Sequence, residues 1–303
     1  MNTSLNNKKP TFTVGITTCY GDISILDTVR SVRSSKGAGK FRFIIVADRV
    51  PISKEIKKEL KKYDVELIEN EIEGSQVKKQ KQIFKIAKTD LVVLTQDDVL
   101  LDQKALVSVV NEFSKNSELT MVSLLNKPIK SSNLFGDVIS VGTHIANKTA
   151  RFWNHGDNYL SVIGRFMVLN KKLVDSKFRL PESVATSDAY YYFENKRVGG
   201  KYMYLPQVYV SFKNPQNMKE HLRKSSRFQY SQKEMSQYFS NLTEEYTVPK
   251  SATLKAITEQ IIQNPVKTFL YFTIYLYTRI LKTKSTIVLN PIWEVDLSTK
   301  KIK

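Results

Sequence analysis

Through its first third the chain alternates short apolar, β-branched runs with stretches whose apolar positions recur every three or four residues. That rhythm predicts β-α-β units around a mainly parallel sheet flanked by helices, an α/β fold. "FTVGIT" reads as the first strand, and beyond Asp22 the positions Leu26, Val29 and Val32 fall at near-helical spacing. "FRFIIVA" is the second strand, and in "SKEIKKELKKY" the residues Ile56, Leu60 and Tyr63 line one face of a helix. "VELIE", a basic helix over about Gln76 to Lys88, "LVVLT", a helix around Gln103 to Phe113, and "LTMVSLL" continue the series.

The pattern then changes. From about Lys127 to Tyr159 no period holds, and Gly136, Gly142 and Gly156 sit in a polar and aromatic mix. This predicts a long irregular excursion over the rim where parallel sheets bind their ligands, at the carboxyl ends of the strands. Periodicity returns in a helix near Ser187 to Lys196, the turn Val198-Gly199-Gly200 and the strand-like "KYMYLPQVYVSF". After Pro215 the stretch "QNMKEHLRKSSRFQYSQKEMSQYF" predicts a basic helix, followed by "SATLKAITEQIIQ" and, past Pro265, the apolar "FLYFTIYLYTRIL". The expected organisation is a flexible N-terminus over residues 1–10, a catalytic-type domain over 11–215 and a helical C-terminal extension over 216–303.

Composition narrows the partners. The 303 residues, 41% of them hydrophobic, are enough for a full core. Lys+Arg of 47 against Asp+Glu of 29 leaves +18, which favours phosphorylated ligands, nucleic acid or anionic lipid. The basic residues are spread over many helices with no recognisable nucleic-acid module, which argues against nucleic acid. Cys19 is the only cysteine, so no intrachain disulfide forms and a reducing compartment fits. The opening "MNTSLNNKKP" has no apolar core like that of a signal peptide, so a cytoplasmic chain is expected.

The apolar segment Phe269 to Leu281, as a helix rising about 1.5 Å per residue, falls short of a hydrocarbon core of roughly 30 Å. Five aromatics lie between Phe269 and Tyr277, and Lys267, Arg279, Lys282 and Lys284 flank the segment. It reads as a peripheral anchor on the cytoplasmic face of an anionic membrane, over residues 266–282. The competing reading is a helix packed against the α/β domain.

Candidate chemistry begins at "LVVLTQDDVLL", which puts Gln96-Asp97-Asp98 where a buried strand ends. Adjacent carboxylates repel and resist desolvation, so a site that keeps them supplies water, donors or a cation. A hard divalent cation, Mg²⁺ or Mn²⁺, bridging carboxylate to phosphate is one solution. A solvated turn or a helix cap is the other.

The succession "VGITTCYGD", "FIIVAD", "ENEIEGSQVKKQ", "TDLVVLTQDDV", "SDAYYYFENKRVGGKYMYLPQVYV" and "RKSSRF" resembles glycosyltransferase family 2, the inverting sugar-nucleotide transferases of GT-A fold. The resemblance covers about Thr11 to Tyr230 and implies a Rossmann-like GT-A domain acting on a nucleotide sugar, UDP-linked in most members. It implies that Asp48 meets the nucleobase, that Thr17, Thr18 and Tyr20 hold the nucleoside, and that Gly74, Lys79 and Gln80 lie near the diphosphate. It makes Asp98 the metal ligand, with Gln96 standing where the family's first acid is expected and Asp97 beside it. An amide there still hydrogen-bonds a ribose hydroxyl but gives a cation less charge.

The resemblance makes Asp188 the catalytic base, preceded by Ser187 where Glu is common. Physics allows the same role, since displacement at an anomeric carbon needs a carboxylate to take the acceptor proton. A position at a helix start equally suits a cap. "HLRKSSRFQ" loosely resembles the family's Gln-x-x-Arg-Trp box, in which Arg223, Lys224 and Arg227 would steady the departing diphosphate. A nucleotidyltransferase is a second enzyme reading, although "TTCYGD" is not the Gly-rich basic loop it would show. A non-catalytic basic protein is the third.

Overall fold

In a computed structural model, the described residues are 9–21, 24–240, 245–282, 290–292 and 296–300. Among them the strands β1 (Phe12–Tyr20), β2 (Arg42–Val50), β3 (Val65–Glu69), β4 (Leu91–Gln96), β5 (Val99–Leu101), β6 (Leu119–Pro128), β7 (Phe166–Asn170) and β8 (Lys201–Phe212) form one sheet. Its order is β3-β2-β1-β4-β7-β6-β8-β5. The strands β3, β2, β1 and β4 run parallel, β7 is antiparallel to β4 and β6, and β6 pairs parallel with β8. The outer strand β3 carries Glu66, paired with Arg42, and Glu69, paired with Lys57. At the other end β5 is a three-residue strand.

Helices cover both faces: α1 (Ser24–Arg33), α2 (Lys54–Lys62), α3 (Gln76–Ile86), α4 (Ala105–Lys115), α5 (Leu134–Phe152), α6 (Lys171–Lys177) and α7 (Ser187–Arg197). Side chains alternate across the sheet, so each strand feeds two cores. Phe43 and Ile45 of β2 join Val14, Ile16 and the α1 residues Ile25, Val29 and Val32, while Ile44 and Val46 join Val92, Leu94, Ile83 and Tyr191 on the other face. Burial on both sides is why these strands read as continuous apolar runs rather than alternating ones. Gly15 lets α3 lie close on β1, since a Cβ there would stand 2.6 Å from Ile83 Cγ2.

The remaining helices are α8 (Met218–Met235), α9 (Lys250–Gln263), α10 (Pro265–Lys282) and α11 (Leu297–Lys300). Residues 1–8 of the expected N-terminus, Lys284 and Trp293 lie outside the described residues. The expectation of an irregular excursion over Lys127 to Tyr159 fails: residues 134–152 form the 19-residue helix α5. Its glycines and β-branched residues are poor helix formers, and packing overrides that preference. The Asn133 side chain accepts from Gly136 N at 2.9 Å to start it, and α9, α10 and β6 pack along it. Gly142 takes the Tyr271 ring of α10, which a Cβ would meet at 2.5 Å.

Candidate active site

The parallel strands β1, β2 and β4 end at one rim. Thr17, Thr18 and Cys19 from β1 line a cleft there together with Gln96, Asp97 and Asp98 from the end of β4. Gly74 and Lys79 from the entry to α3 close one side, and Gly164 and Asp188 another. The cleft is open to solvent along its mouth.

Asp48 lies near the end of β2 below this rim and does not itself line the cleft, and Arg49 after it has a left-handed φ of 63°. Lys79 Nζ lies 2.6 Å from Asp48 Oδ2, which also accepts from Gly74 N at 2.9 Å. Lys79 donates a second bond to Gly74 O at 3.1 Å. The pair is almost sealed, with side chains 5% and 1% exposed. Asp48 Oδ1 is buried with no hydrogen-bond partner among the described residues. Ser75 caps α3 by accepting from Lys78 N, which fixes the chain between Gly74 and Lys79.

At the end of β4 the two acids are used differently. Asp97 Oδ2 accepts from Thr18 Oγ1 at 2.5 Å, and its Oδ1 accepts from Lys300 Nζ of α11 at 2.5 Å. Asp98 Oδ2 lies 3.4 Å from both Lys300 Nζ and Thr299 Oγ1, while its Oδ1 is buried without a partner among the described residues. Burial works against the Lys300 ammonium, but Asp97 and then Asp98 more than offset it and hold its pKa above the ordinary lysine value. Burial in turn pushes the Asp97 carboxyl up, ahead of the opposing pull of Lys300.

Asp188 sits in the first turn of α7. Its Oδ1 accepts from Ala189 N at 2.9 Å and its Oδ2 from Gly164 N at 3.3 Å, so it meets the helix dipole and also faces the cleft. Burial pushes its carboxyl up from the ordinary value, against the pull of these N–H groups and of Arg165. A Cβ built on Gly164 would lie 3.7 Å from Asp188 Oδ2 and 3.8 Å from Gln96 Nε2, so the absent side chain leaves the space between them open. The loop before α7 is held from α8: Glu234 accepts from Ala185 N at 2.6 Å, from Thr186 N at 3.0 Å and from the Thr186 hydroxyl.

Other expected residues lie off the cleft. Gln80 is buried and accepts from the Tyr191 hydroxyl at 3.1 Å. Tyr20 N donates to Thr18 Oγ1, and its side chain does not line the cleft. Arg223 pairs with Asp296 at 2.9 Å. Arg227 belongs to α8, but its side chain lies outside the described residues. Lys224 and Phe228 of the same helix do reach the cleft wall.

Sequence reasoning missed Arg165, Gly164, Thr299 and Lys300, which also line the cleft. Lys300 is two hundred residues from Asp98 and carries no motif. Among the described residues no group of three or more His, Cys, Asp or Glu side chains forms a metal cage. The unpartnered Asp98 Oδ1 is nonetheless a hard oxygen donor in a residue that lines the cleft with Gln96, a set that suits a divalent cation shared with phosphate.

Residues 10–231 match the family described as Glycosyltransferase like family 2. Among solved structures, the chain is similar to a mannosyltransferase from Pyrobaculum calidifontis in complex with GDP-Man and Mn²⁺, at TM-score 0.54 and 11% identity, covering 93% of this chain and 77% of that one. It is also similar to S. aureus TarS 1–349, at TM-score 0.51 and 13% identity, covering 89% of this chain and 87% of that one. At such identities the likeness is one of fold. No curated protein sequence matches the chain.

Proposed function

The chain belongs to glycosyltransferase-like family 2 and has the GT-A fold, and from that premise we propose that this glycosyltransferase moves a sugar with inversion from a nucleoside-diphosphate sugar, UDP-linked, to a hydroxyl of a glycan or lipid-linked glycan. Cell-envelope polysaccharide or glycoconjugate synthesis is the setting that fits. One observation carries the reading: Asp98, with an unpartnered oxygen, and Asp188, with a carboxyl raised by burial, face the same cleft with the open space at Gly164 beside them.

In this reading Asp188 takes the proton of the acceptor hydroxyl as its oxygen attacks the anomeric carbon, opposite the departing diphosphate. The buried Oδ1 of Asp48 accepts from the ring N–H of the base, and Thr17 and Thr18 hold the nucleoside at the end of β1. Gly74 and Lys79 shape the floor beneath the diphosphate. Lys79 acts through Asp48, to which it is already committed. Asp98 would hold a divalent cation of the Mg²⁺ or Mn²⁺ kind, with the Gln96 amide oxygen at hand. When bound, that cation supplies Lewis-acid charge to the leaving group. Residues 11–215 form the catalytic domain, and the extension after residue 216 contributes walls to its cleft.

A screen of UDP-, GDP-, CDP- and dTDP-sugars that scores nucleoside diphosphate release is expected to find a UDP-sugar as the preferred donor. Release should fall at least about tenfold in chelator. Inertness of the protein towards every donor would sink the transferase assignment for this site.

The extension also supports peripheral attachment to a membrane. Among the described residues no helix is long and apolar enough to cross one. One face of α10 packs on α5 through Tyr271, while Ile262 of α9 and Phe269 of α10 stand 76% and 73% exposed with Val266 and Ile280 nearby in sequence. The side chain of Lys282 lies outside the described residues. An apolar face of this kind on a chain of +18 suits an anionic bilayer surface. Co-sedimentation with phosphatidylglycerol vesicles at low salt is expected, and to be lost in an Ile262→Glu/Phe269→Glu protein. Equal recovery of both proteins in the supernatant would remove the membrane from this account.

A further inference from the structure

Among the described residues, a cation that pairs with both carboxylates comes from α11, a segment with no motif of its own. Lys300 Nζ lies 2.5 Å from Asp97 Oδ1 and 3.4 Å from Asp98 Oδ2. The segment is anchored at several points. Asp296 pairs with Arg223 of α8, Ser298 N donates to Glu220 Oε1 at 3.2 Å, and Gln216 N donates to Ser298 Oγ at 3.1 Å. The Ser298 hydroxyl also donates to Glu220. With the segment seated the cleft stays open, and Lys300 forms part of its wall with Gln96 and Asp188.

An ammonium has three N–H donors. Here one is given to Asp97, the contact to Asp98 is a longer ion pair, and the residue lines the cleft with its side chain 11% exposed. Asp97 has both oxygens engaged, by Thr18 and Lys300, whereas Asp98 keeps one unpartnered. The acids thus divide the work: Asp97 seats a fixed cation and Asp98 remains available. Two carboxylates alone would repel a diphosphate, and a seated ammonium halves their charge where the leaving group gathers its own.

We propose that Lys300 is a donor-binding residue whose ammonium, seated by Asp97, binds the diphosphate of the nucleotide sugar beside Asp98. The proposal rests on the glycosyltransferase reading above. It makes Lys300 a source of affinity that does not depend on a divalent cation, and that separates it from Asp98.

Calorimetric titration with UDP, GDP, CDP and dTDP, in chelator and in Mn²⁺, tests it on the wild type, Lys300→Met and Lys300→Arg. The wild-type chain is expected to bind at least one nucleotide in chelator and more tightly in Mn²⁺. Lys300→Met should weaken that binding about tenfold or more in both conditions, while Lys300→Arg, which keeps the charge, should stay within about threefold. Thermal melts of the three proteins establish that each is folded. Unchanged binding by Lys300→Met would overturn the proposal, and tighter binding would show instead that the segment obstructs the site. If the wild type binds no nucleotide in either condition, the donor site itself is misassigned, and the proposal falls with it.

Discussion

Asp188→Asn is expected to lower kcat by about 10²–10⁴-fold while leaving nucleotide affinity unchanged and the melting temperature within about 3 °C. The loss follows from the role proposed for the group: an amide cannot take the acceptor proton. The retained fold follows from its surroundings. Burial raises the Asp188 carboxyl, so the native state disfavours the charge that Asn removes. Asn keeps an oxygen for Ala189 N and loses only the longer bond from Gly164 N.

The same shift sets the pH behaviour. A base is active only when deprotonated, and a folded pKa above the free-aspartate value of about 3.9 moves the acid limb of the kcat/KM profile above that value. As pH falls through the raised pKa, activity is lost while the native state is relieved of a buried charge. Acid inactivation therefore precedes unfolding at this residue. Full turnover by Asp188→Asn, or an acid limb at an ordinary carboxylate pKa, would remove Asp188 from the chemistry.

Asp48→Ala is expected to destabilise the protein by about 3–5 kcal/mol, read by denaturant titration. The Lys79 ammonium would be left nearly buried with the Gly74 carbonyl as its one remaining acceptor among the described residues. Lys79→Met strands the opposite charge, although Gly74 N still donates to Asp48, so its cost should be the smaller of the two. Removing both charges together, as Asp48→Leu/Lys79→Met, should recover most of the stability, because a buried ion pair gains little over well-packed apolar groups. Nucleotide affinity should not recover, since the Asp48 oxygen proposed for the base is gone. A double variant as unstable as Asp48→Ala would mean that packing, not stranded charge, sets the cost.

The first four strands and the helices α1 to α4 are legible because a sheet covered on both faces demands uninterrupted apolar runs, and each crossover helix shows its own stripe. The helix α5 is not. Val138, Ile139, Val141, Thr143, Ile145 and Thr149 spoil its propensity, and its faces are divided between sheet and extension, so no single stripe emerges. The strand β7 is equally hidden, being five residues between irregular segments, although Phe166, Met167, Val168 and Leu169 are fully buried. At the site, Asp98 draws notice because adjacent acids at the end of a buried strand resist desolvation, whereas Asp188 is picked out only through the family resemblance, since an acid at a helix start suits a cap equally well. Gln80 and Lys300 carry no such signal. A buried amide serving Tyr191 looks the same in sequence as one serving a ligand, and a lysine in a basic chain is one among many.

The sheet's two ends also bear on self-association. An unpaired strand invites another chain to extend it. At β3 that approach meets Glu66 and Glu69 with their cationic partners, and at β5 only three residues are offered. Neither border readily templates the addition of a strand from a second copy, which discourages fibrous aggregation.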